Sequence, residues 1–571
     1  MKMRRWITRF VVAGTALGAA AGPAFGERGS DGDLKILYWQ AVSIMNPYLS
    51  SGTKDMHAAS MVIEPLARFD ETGNIVPTLV SEIPSLENGG ISEDLTTITW
   101  RILPDLRWSD GTDFTAEDVV FTWQYCTAPD GGCAQRSQFT DVAAVEAVDP
   151  LTVRVTFSVP KPYPFGPFVG MSSPIIQKAQ FESCVGARAP ECTEANFGPH
   201  GTGPFKVREL RANDVVLFDA NQYYRDPAKP AFATATLKGG GDATSAARAV
   251  LESGEFDYGW NLMIEPEVLA TMEQAGRGTL VSSFGSLVER IVINWTNPDP
   301  ALGSLRSTRE GGEHPFLSDP AVRRALSMAI DRDLLVDIGF GEAGQATCNI
   351  VPAPEINRST GNDDWCLTAD IEGANALLDE AGWVPGPDGI RAKDGVRLSM
   401  LYQTSTNSVR QSMQAIIKDM WSAIGVDAEL RDVSSSVFFG GDPGSPDTFQ
   451  KFFADVEMYA NNFDGTDAES YLAEWTCALI PSPETGWRGQ NIPRYCNPEY
   501  DALVAKLGET AEEQPRAEIV KQLNDMLTAD GAHIPLVHRG DLSGHVNTLA
   551  GVRMNSWDSQ LWNVADWYRT E

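Results

Sequence analysis

The sequence lacks the short motifs that mark secreted hydrolases. No Gly-x-Ser-x-Gly occurs, so the usual serine-hydrolase signature is missing. No His-x-x-x-His occurs either, because His533 and His538 flank an extended Ile-Pro-Leu-Val and His545 lies in an expected loop. No Cys-x-x-Cys is present and the six histidines are scattered, which is not typical of a zinc site. We therefore expect a protein that is not an enzyme and needs no cofactor or metal.

Positive charge is scarce. The chain holds 45 Lys and Arg residues against 77 Asp and Glu residues, which gives a formal net charge of −32. A chain with this balance repels nucleic acid and anionic lipid. We expect no nucleic-acid partner, and we interpret the charge as a solubility adaptation rather than as a functional field.

Long apolar runs are confined to the N-terminus. Basic residues precede a small-residue apolar stretch, 11–25, that ends at Gly26. This order is typical of a secretory signal peptide, 1–26, cleaved after about Gly26, and the run is too short to span a bilayer. The pair Arg4-Arg5 only loosely resembles a twin-arginine signal, so Sec and Tat export both stay open. The first cysteine after the cleavage point is Cys126, which argues against a lipid anchor there, and we expect a soluble periplasmic protein.

The eight cysteines suit an exported chain with an ordinary core. They fall into four neighbouring pairs, and short loops close most readily, so neighbours are favoured as disulfide partners although other connectivities stay open. The pairs are Cys126 with Cys133, Cys184 with Cys192, Cys348 with Cys366, and Cys477 with Cys496.

Helical and strand periods are mixed along the whole chain, which indicates an α/β or α+β protein. Its 571 residues exceed what one core usually serves, so two or more domains are expected. No Pro-rich or Gly/Ser-rich linker divides them, which suggests domains joined by more than one segment. Asp319 is expected to cap a helix that begins with Pro320, and Asp331 to cap the next helix.

Seven segments in a fixed order resemble one known family, the peptide/nickel-type substrate-binding proteins of ABC importers (solute-binding family 5). They are VIEPLARFDETGNIVPTLV from Val62, LRWSDGTDFTAEDVVFTW from Leu106, GTGPF from Gly201, PFLSDPAVRRALSMAIDRDLL from Pro315, ANALLDEAGW from Ala374, the helix exit Ile424-Gly425-Val426, and CNPEYDALV from Cys496.

The resemblance implies a two-lobed periplasmic binding protein of type II, in the large cluster C form, with the ligand held between the lobes. On that template the first lobe covers 27–289 and 534–571, with an extra subdomain inserted at about 58–192. The second lobe covers 290–533. Paired crossover strands join the lobes, which agrees with the missing linker.

The resemblance also implies a function, the capture of peptides or a related amine-bearing small solute for ABC permease subunits in the inner membrane. We expect a monomer in this role. Two alternatives stay open: a binding protein for a non-peptide solute such as a sugar or an opine, and a receptor coupled to a sensor. A secreted hydrolase is disfavoured by the missing motifs.

The candidate ligand site lies in the segment 455–475. An apolar alternation that includes Tyr459 gives way to a polar loop beginning with Asn461 and Asn462. Asp464 matches the aspartate with which peptide-binding members pair the peptide α-ammonium, and a carboxylate there can make charge-assisted hydrogen bonds. Asp467 is a second candidate, although it also suits the cap of the helix that follows.

Two departures from the family concern this site. Ala468 stands where many relatives have proline. The strand Leu398 to Tyr402 is followed by Gln403-Thr404-Ser405, where dipeptide-selective members carry an arginine for the ligand carboxylate, and Arg410 lies on the next helix. Recognition of a free α-carboxylate is therefore left undecided.

Aromatic side chains are the second feature that such a cleft needs, because their faces bury ligand surface without demanding one hydrogen-bond pattern. Each candidate is also explained by ordinary core packing. The aromatic candidates are Trp260, Tyr459, Phe438 and Phe439, and the candidate polar partners are Gln40 and Asn261.

Overall fold

The computed structural model describes residues 27–440, 442 and 444–570. The expected signal peptide, 1–26, therefore lies outside the described residues. The α-helices are Thr53–Ala59, Ala116–Thr127, Lys178–Phe181, Thr193–Phe197, Ala243–Leu251, Pro266–Glu273, Pro320–Met328, Arg332–Gly339, Asp363–Cys366, Ile371–Glu380, Ser408–Ser422, Ser435–Phe438, Glu469–Ala473, Pro498–Glu509 and Glu513–Ala529.

Two large sheets and one smaller sheet organise the molecule. The first sheet has seven strands, in the order Gly278–Ser283, Asp541–Val546, Tyr258–Trp260, Asp33–Tyr38, Thr234–Gly239, Val215–Ala220 and Phe205–Arg211. The second sheet has six, in the order Gly344–Ala346, His533–Arg539, Val288–Ile293, Val456–Asn461, Ser399–Ser405 and Asp427–Val433. The third sheet has three, in the order Thr97–Arg101, Thr152–Phe157 and Val142–Asp149.

Short strands complete the sheet inventory. Ala67–Phe69 pairs with Ile75–Pro77, and Leu549–Ala550 pairs with Tyr568–Arg569. A small three-stranded sheet consists of Val384–Pro385, Arg391–Lys393 and Val396–Arg397.

The chain passes twice between the two large sheets. It leaves the first sheet after Ser283 and enters the second at Val288, then returns from Arg539 through Gly540 to Asp541. Two connections between the lobes agree with the sequence, in which no Pro-rich or Gly/Ser-rich linker divides the domains. The expected boundaries at 289 and 534 fall inside two strands of the second sheet, so we propose a first lobe of 27–287 and 540–570 and a second lobe of 288–539.

Each large sheet has its own apolar core. The core of the first sheet includes Leu34 and Trp567, from opposite ends of the chain. The core of the second sheet includes Ile291 and Trp421. The third sheet packs a separate core with Trp100 and Val119. We call this third body the subdomain. Most of its core lies within the range expected at about 58–192, although Tyr48 also packs in it and Val62 packs in the core of the first sheet.

Local capping chemistry places the second-lobe helices as expected. The Asp319 carboxylate accepts the Ala321 N–H at 3.0 Å, and the Asp331 carboxylate accepts the Leu334 N–H at 3.1 Å. The helices Pro320–Met328 and Arg332–Gly339 begin directly after these caps. Both capping predictions are confirmed.

Four disulfides join the neighbouring cysteines that the sequence favours. Cys126–Cys133 and Cys184–Cys192 lie in the subdomain, while Cys348–Cys366 and Cys477–Cys496 lie in the second lobe. Each bridge closes a loop within one body, so the disulfides leave the two lobes free to move against each other.

Helices long and apolar enough to cross a membrane were sought throughout the described ranges, and none is present there. The same ranges contain no group of three or more His, Cys, Asp or Glu residues that could hold a metal ion.

Candidate functional site

A cavity of about 500 Å³ lies between the subdomain and the second lobe. We call it the larger cavity. One wall is built by residues such as Trp123, Phe165 and Ser172, and the facing wall by the loop and short helix between Asn461 and Glu474. Pockets for small ligands span roughly 300–1,000 Å³, so the volume suits a small solute.

The second sheet carries the candidate loop to this cavity. Its strand Val456–Asn461 lies between Val288–Ile293 and Ser399–Ser405, and the chain leaves the sheet after Asn461. Gly465 then adopts a φ of +70°, and a Cβ on it would stand 2.3 Å from the Phe69 ring. Glycine is required there because the loop must turn in a left-handed conformation while touching Phe69 of the subdomain.

Asp464 lines the larger cavity as a half-buried carboxylate. It accepts the Ser172 backbone N–H at 2.8 Å, a contact between the second lobe and the subdomain. Burial, reinforced by the negative charge of Asp558, raises the pKa of Asp464 to about 7. No described residue forms an ion pair with it, so the cost of burying its charge is not offset by a cation.

Asp467 also borders the larger cavity, but its charge is already used. Its two oxygens accept from the Arg516 guanidinium, both at 2.8 Å, and one also accepts the Glu469 N–H at 3.0 Å. The same guanidinium bonds Glu469 at 2.7 Å. The geometry therefore matches the capping interpretation of Asp467 better than the ligand-binding one.

A smaller cavity of about 50 Å³ adjoins the larger one. Four residues border both: Ser51, Asn461, Asn462 and Gln490. Five further candidates from the sequence line the smaller cavity: Gln40, Trp260, Asn261, Phe439 and Tyr459. The candidate residues thus gather in one continuous region, with the acidic end at Asp464 and the aromatic end at Trp260.

Trp260 is fixed by its neighbours in the first lobe. Its ring stacks on Tyr38 with centroids 4.5 Å apart, and its Nε1–H donates to His57 Nδ1 at 3.0 Å. Burial lowers the pKa of His57 to about 3, so that ring is a neutral acceptor. Asn261 follows with a φ of +51°, which asparagine tolerates, and turns the chain at the cavity edge.

Phe438 lies outside both cavities. It is fully buried and packs against Phe449 and Tyr459, with ring centroids 5.9 Å and 6.2 Å away. Its place is behind the cavity wall, where it supports the Tyr459 ring. Sequence periodicity could not tell which of Phe438 and Phe439 faces the cavity. Both lie at the end of the short helix Ser435–Phe438, which has too few residues to show a periodic pattern.

Arg410 lines the smaller cavity but is neutralised there. It donates to both carboxylate oxygens of Glu289, at 2.7 Å and 3.1 Å, and to the Ser405 hydroxyl at 2.7 Å. Arg539 approaches the same carboxylate at 3.4 Å. Glu289, Arg410 and Arg539 are far apart in the chain, so the sequence near Arg410 did not indicate that its charge would be paired.

Glu474 is one of four acidic residues of the larger cavity that the sequence analysis missed, together with Asp141, Glu469 and Asp501. It follows the helix Glu469–Ala473 and lines the cavity together with Ser470. Residues four apart lie on the same side of a helix. The spacing of four residues between Ser470 and Glu474, within the candidate segment 455–475, was the sequence signal that could have identified Glu474 as a cavity residue.

Comparison with known proteins gives consistent matches over almost the full length. A family model described as bacterial extracellular solute-binding proteins, family 5 Middle, matches residues 74–479. The glutathione-binding protein GsiB of Escherichia coli (strain K12) is 22% identical over 547 residues, which cover 95% of this chain and 95% of that protein.

Two solved structures share the fold. The oligopeptide-binding protein AppA from Bacillus subtilis, in complex with a nonapeptide, gives a TM-score of 0.79 at 20% identity, covering 95% of this chain and 100% of that one. NikZ from Campylobacter jejuni, in complex with Ni(L-His), gives 0.76 at 22% identity, covering 94% and 99%. The predicted two-lobed α/β architecture is confirmed.

Proposed function

Because the chain belongs to family 5 of the bacterial extracellular solute-binding proteins, we propose that its two cavities hold a peptide or a related amine-bearing small solute. Proteins of this family are the solute-binding components of ABC importers, and the relatives are transport proteins rather than enzymes. In the proposed complex Asp464 binds the ammonium group, while Trp260 and Tyr459 cover the body of the ligand.

The observation that carries this proposal is the environment of Asp464. The carboxylate faces a small-ligand cavity and has one backbone N–H donor, Ser172, but no cation among the described residues. Charged hydrogen bonds to an ammonium would offset the cost of keeping this carboxylate out of water. Because Asp464 also accepts the Ser172 N–H, the side chain proposed to bind the ligand is the same one that joins the second lobe to the subdomain.

The names of two relatives support the peptide class. AppA was solved with a nonapeptide, and GsiB is named for glutathione, itself a tripeptide. At the other end of the site, Arg410 is held by Glu289, so its guanidinium does not offer the free positive charge that a terminal carboxylate needs. We therefore propose that affinity comes mainly from the amine end and the ligand body.

We further propose that the protein works as a monomer in the periplasm after cleavage near Gly26 and delivers its ligand to permease subunits in the inner membrane. Native mass spectrometry of the protein as purified tests the ligand class, since closure of two lobes retains bound solutes. A ladder of peptide masses is the expected result. A single sugar or opine mass would contradict the peptide class.

The role of Asp464 is tested by Asp464→Asn, which keeps the shape and removes the charge. We expect affinity for an amine-bearing ligand recovered from the protein to fall by about 1.5–3 kcal/mol, the range for hydrogen bonds to charged groups. Isothermal titration measures it. Asp364→Asn, an equivalent change at an exposed second-lobe position, is the matched control and should leave affinity unchanged. Unchanged affinity in Asp464→Asn would remove Asp464 from the site.

A further inference from the structure

Glu474 is a second carboxylate of the larger cavity that has no cationic partner among the described residues. It is 9% exposed, and its Oε2 atom is buried without a hydrogen bond. No described residue forms an ion pair with it. Asp467 and Glu469 differ, because they are paired with Arg516 and Lys161. Asp501, which also lines the cavity, accepts the Cys477 N–H.

The nearest cation does not satisfy Glu474. Arg290 is buried behind the wall, where its Nη1 donates to the Tyr471 hydroxyl and its guanidinium faces the ring of Trp475 at 5.5 Å. Its charge attracts Glu474, yet burial dominates, and together with the negative charge of Asp464 it raises the pKa of Glu474 to about 8.

Asp464 and Glu474 therefore place two like charges in one cavity, and no described residue forms an ion pair with either of them. Keeping both ionised in a partly dry site is unfavourable, and a ligand with a single ammonium relieves only one of them. A ligand that brings two positive charges relieves both.

We propose that this cavity selects ligands that carry a second positive charge close to the α-ammonium, namely peptides whose first residue is lysine or arginine. The inference rests on the proposed function, in which Asp464 binds the α-ammonium, and it adds Glu474 as the residue that sets specificity for the first side chain. The helix Glu469–Ala473 presents Glu474 next to the Asp464 loop.

The test compares two tripeptides, Lys-Ala-Ala and norleucine-Ala-Ala, which differ in the terminal amine of the first side chain. Isothermal titration at pH 7 with ligand-free protein should show the lysine peptide binding about tenfold or more tightly, the size expected of one charged hydrogen bond. In Glu474→Gln this preference should disappear while the norleucine peptide keeps its affinity. Asp464→Asn should weaken both peptides.

Proton release gives an independent readout. Because Glu474 and Asp464 bind protons in the empty cavity, the lysine peptide should displace them, and its binding enthalpy should depend on the ionisation heat of the buffer more strongly than that of the norleucine peptide. Glu474→Gln should reduce this dependence. Thermal melts of the variants confirm that each is folded.

The outcomes separate the two proposals. Equal affinity for both peptides in the wild type, with Glu474→Gln changing neither, would overturn the role of Glu474 and leave the proposed function standing. Binding that survives Asp464→Asn undiminished would overturn the ammonium site itself. Failure of both peptides to bind the wild type would overturn the proposed peptide function together with the inference.

Discussion

Asp464 and Glu474 make the stability of the empty protein depend on pH. Burial, reinforced by the charge of Asp558, raises the pKa of Asp464 to about 7, and burial, reinforced by the charge of Asp464, raises the pKa of Glu474 to about 8. A carboxyl group whose pKa is raised by folding stabilises the native state fully below its unfolded pKa, and this contribution is lost as the pH rises through the folded value. The ligand-free protein should therefore lose stability between about pH 4.5 and pH 8.

Glu474→Gln tests this at a single residue. Glutamine stays neutral, so the stability of the variant relative to the wild type should rise by about 4 kcal/mol from pH 5 to pH 9, because folding raises the pKa of Glu474 to about 8 and one pKa unit corresponds to about 1.4 kcal/mol. Urea unfolding of ligand-free protein at the two pH values measures the difference. The exposed Glu499→Gln serves as control. A constant offset between Glu474→Gln and wild type at both pH values would contradict the burial of an unpaired carboxyl.

Asp464 and Asp467 show how far the local sequence can distinguish a ligand-binding carboxylate from one that is paired within the protein. Three positions apart in one polar loop, they are equally plausible as ligand contacts from their type alone. The structure distinguishes them through Arg516, which lies 49 residues further along the chain and neutralises Asp467. Glu289 and Arg410 are separated by 121 residues and likewise meet only through the fold. Pairings of this kind depend on tertiary contacts, so the sequence predicted the segment of the site and not the charge state of its members.

At the scale of elements, the cap of the helix Pro320–Met328 is tied into more than its own backbone. The Asp319 carboxylate also accepts from the Trp383 Nε1–H at 3.0 Å and pairs with Lys393 at 3.2 Å. The cap at Asp331 makes a single bond to its helix, to Leu334. The two aspartates therefore provide a matched comparison within one lobe.

We expect Asp331→Ala to cost about 1 kcal/mol of unfolding free energy, as ordinary N-caps do. Asp319→Ala should cost more, about 2 kcal/mol or above, because it also leaves the Nε1–H of the buried Trp383 without its acceptor. Urea denaturation followed by circular dichroism measures both. Equal costs would show that the contacts to Trp383 and Lys393 add nothing to the cap.

Elements with strong local signals were predictable, and those stabilised by tertiary contacts were not. The caps at Asp319 and Asp331, and the neighbouring disulfides, depend on chemistry within a few residues. The strand Val142–Asp149 was missed because its alternation is weak and its edge position depends on pairing with Thr152–Phe157. Phe438 was expected at the cavity and lies behind it, since periodicity does not reveal which side of a packed aromatic cluster faces the ligand.

At the scale of the whole molecule, the fold lets two lobes meet over the ligand. The strand-to-strand passages at 284–287 and Gly540 are the segments that join them, and the disulfides leave this movement unconstrained. Polar contacts cross from one side to the other, including Ser172 to Asp464 and Lys161 to Glu469. A hinge of two neighbouring connections permits one closing motion, so these contacts should form and break together.

Lys161 is the buried cation that spans this boundary. It is 5% exposed and bonds Asp141 of the subdomain and Glu469 of the second lobe, each at 2.6 Å. Lys161→Met keeps most of the apolar stem and removes the charge. Asp141 and Glu469 then lose the cation between them, although Arg516 still pairs with Glu469. The closed arrangement should lose stability relative to an open one.

We therefore expect ligand-free Lys161→Met to show a larger radius of gyration than the wild type in small-angle X-ray scattering, and saturating ligand to restore the smaller value. Affinity should fall at the same time, because part of the binding free energy is then spent on closure. Lys178→Met, which removes an exposed pair with Glu117 inside the subdomain, should change neither quantity. If both variants scatter like the wild type, the Lys161 ion pair does not hold the lobes together, and closure must be attributed to the ligand and the Asp464 loop.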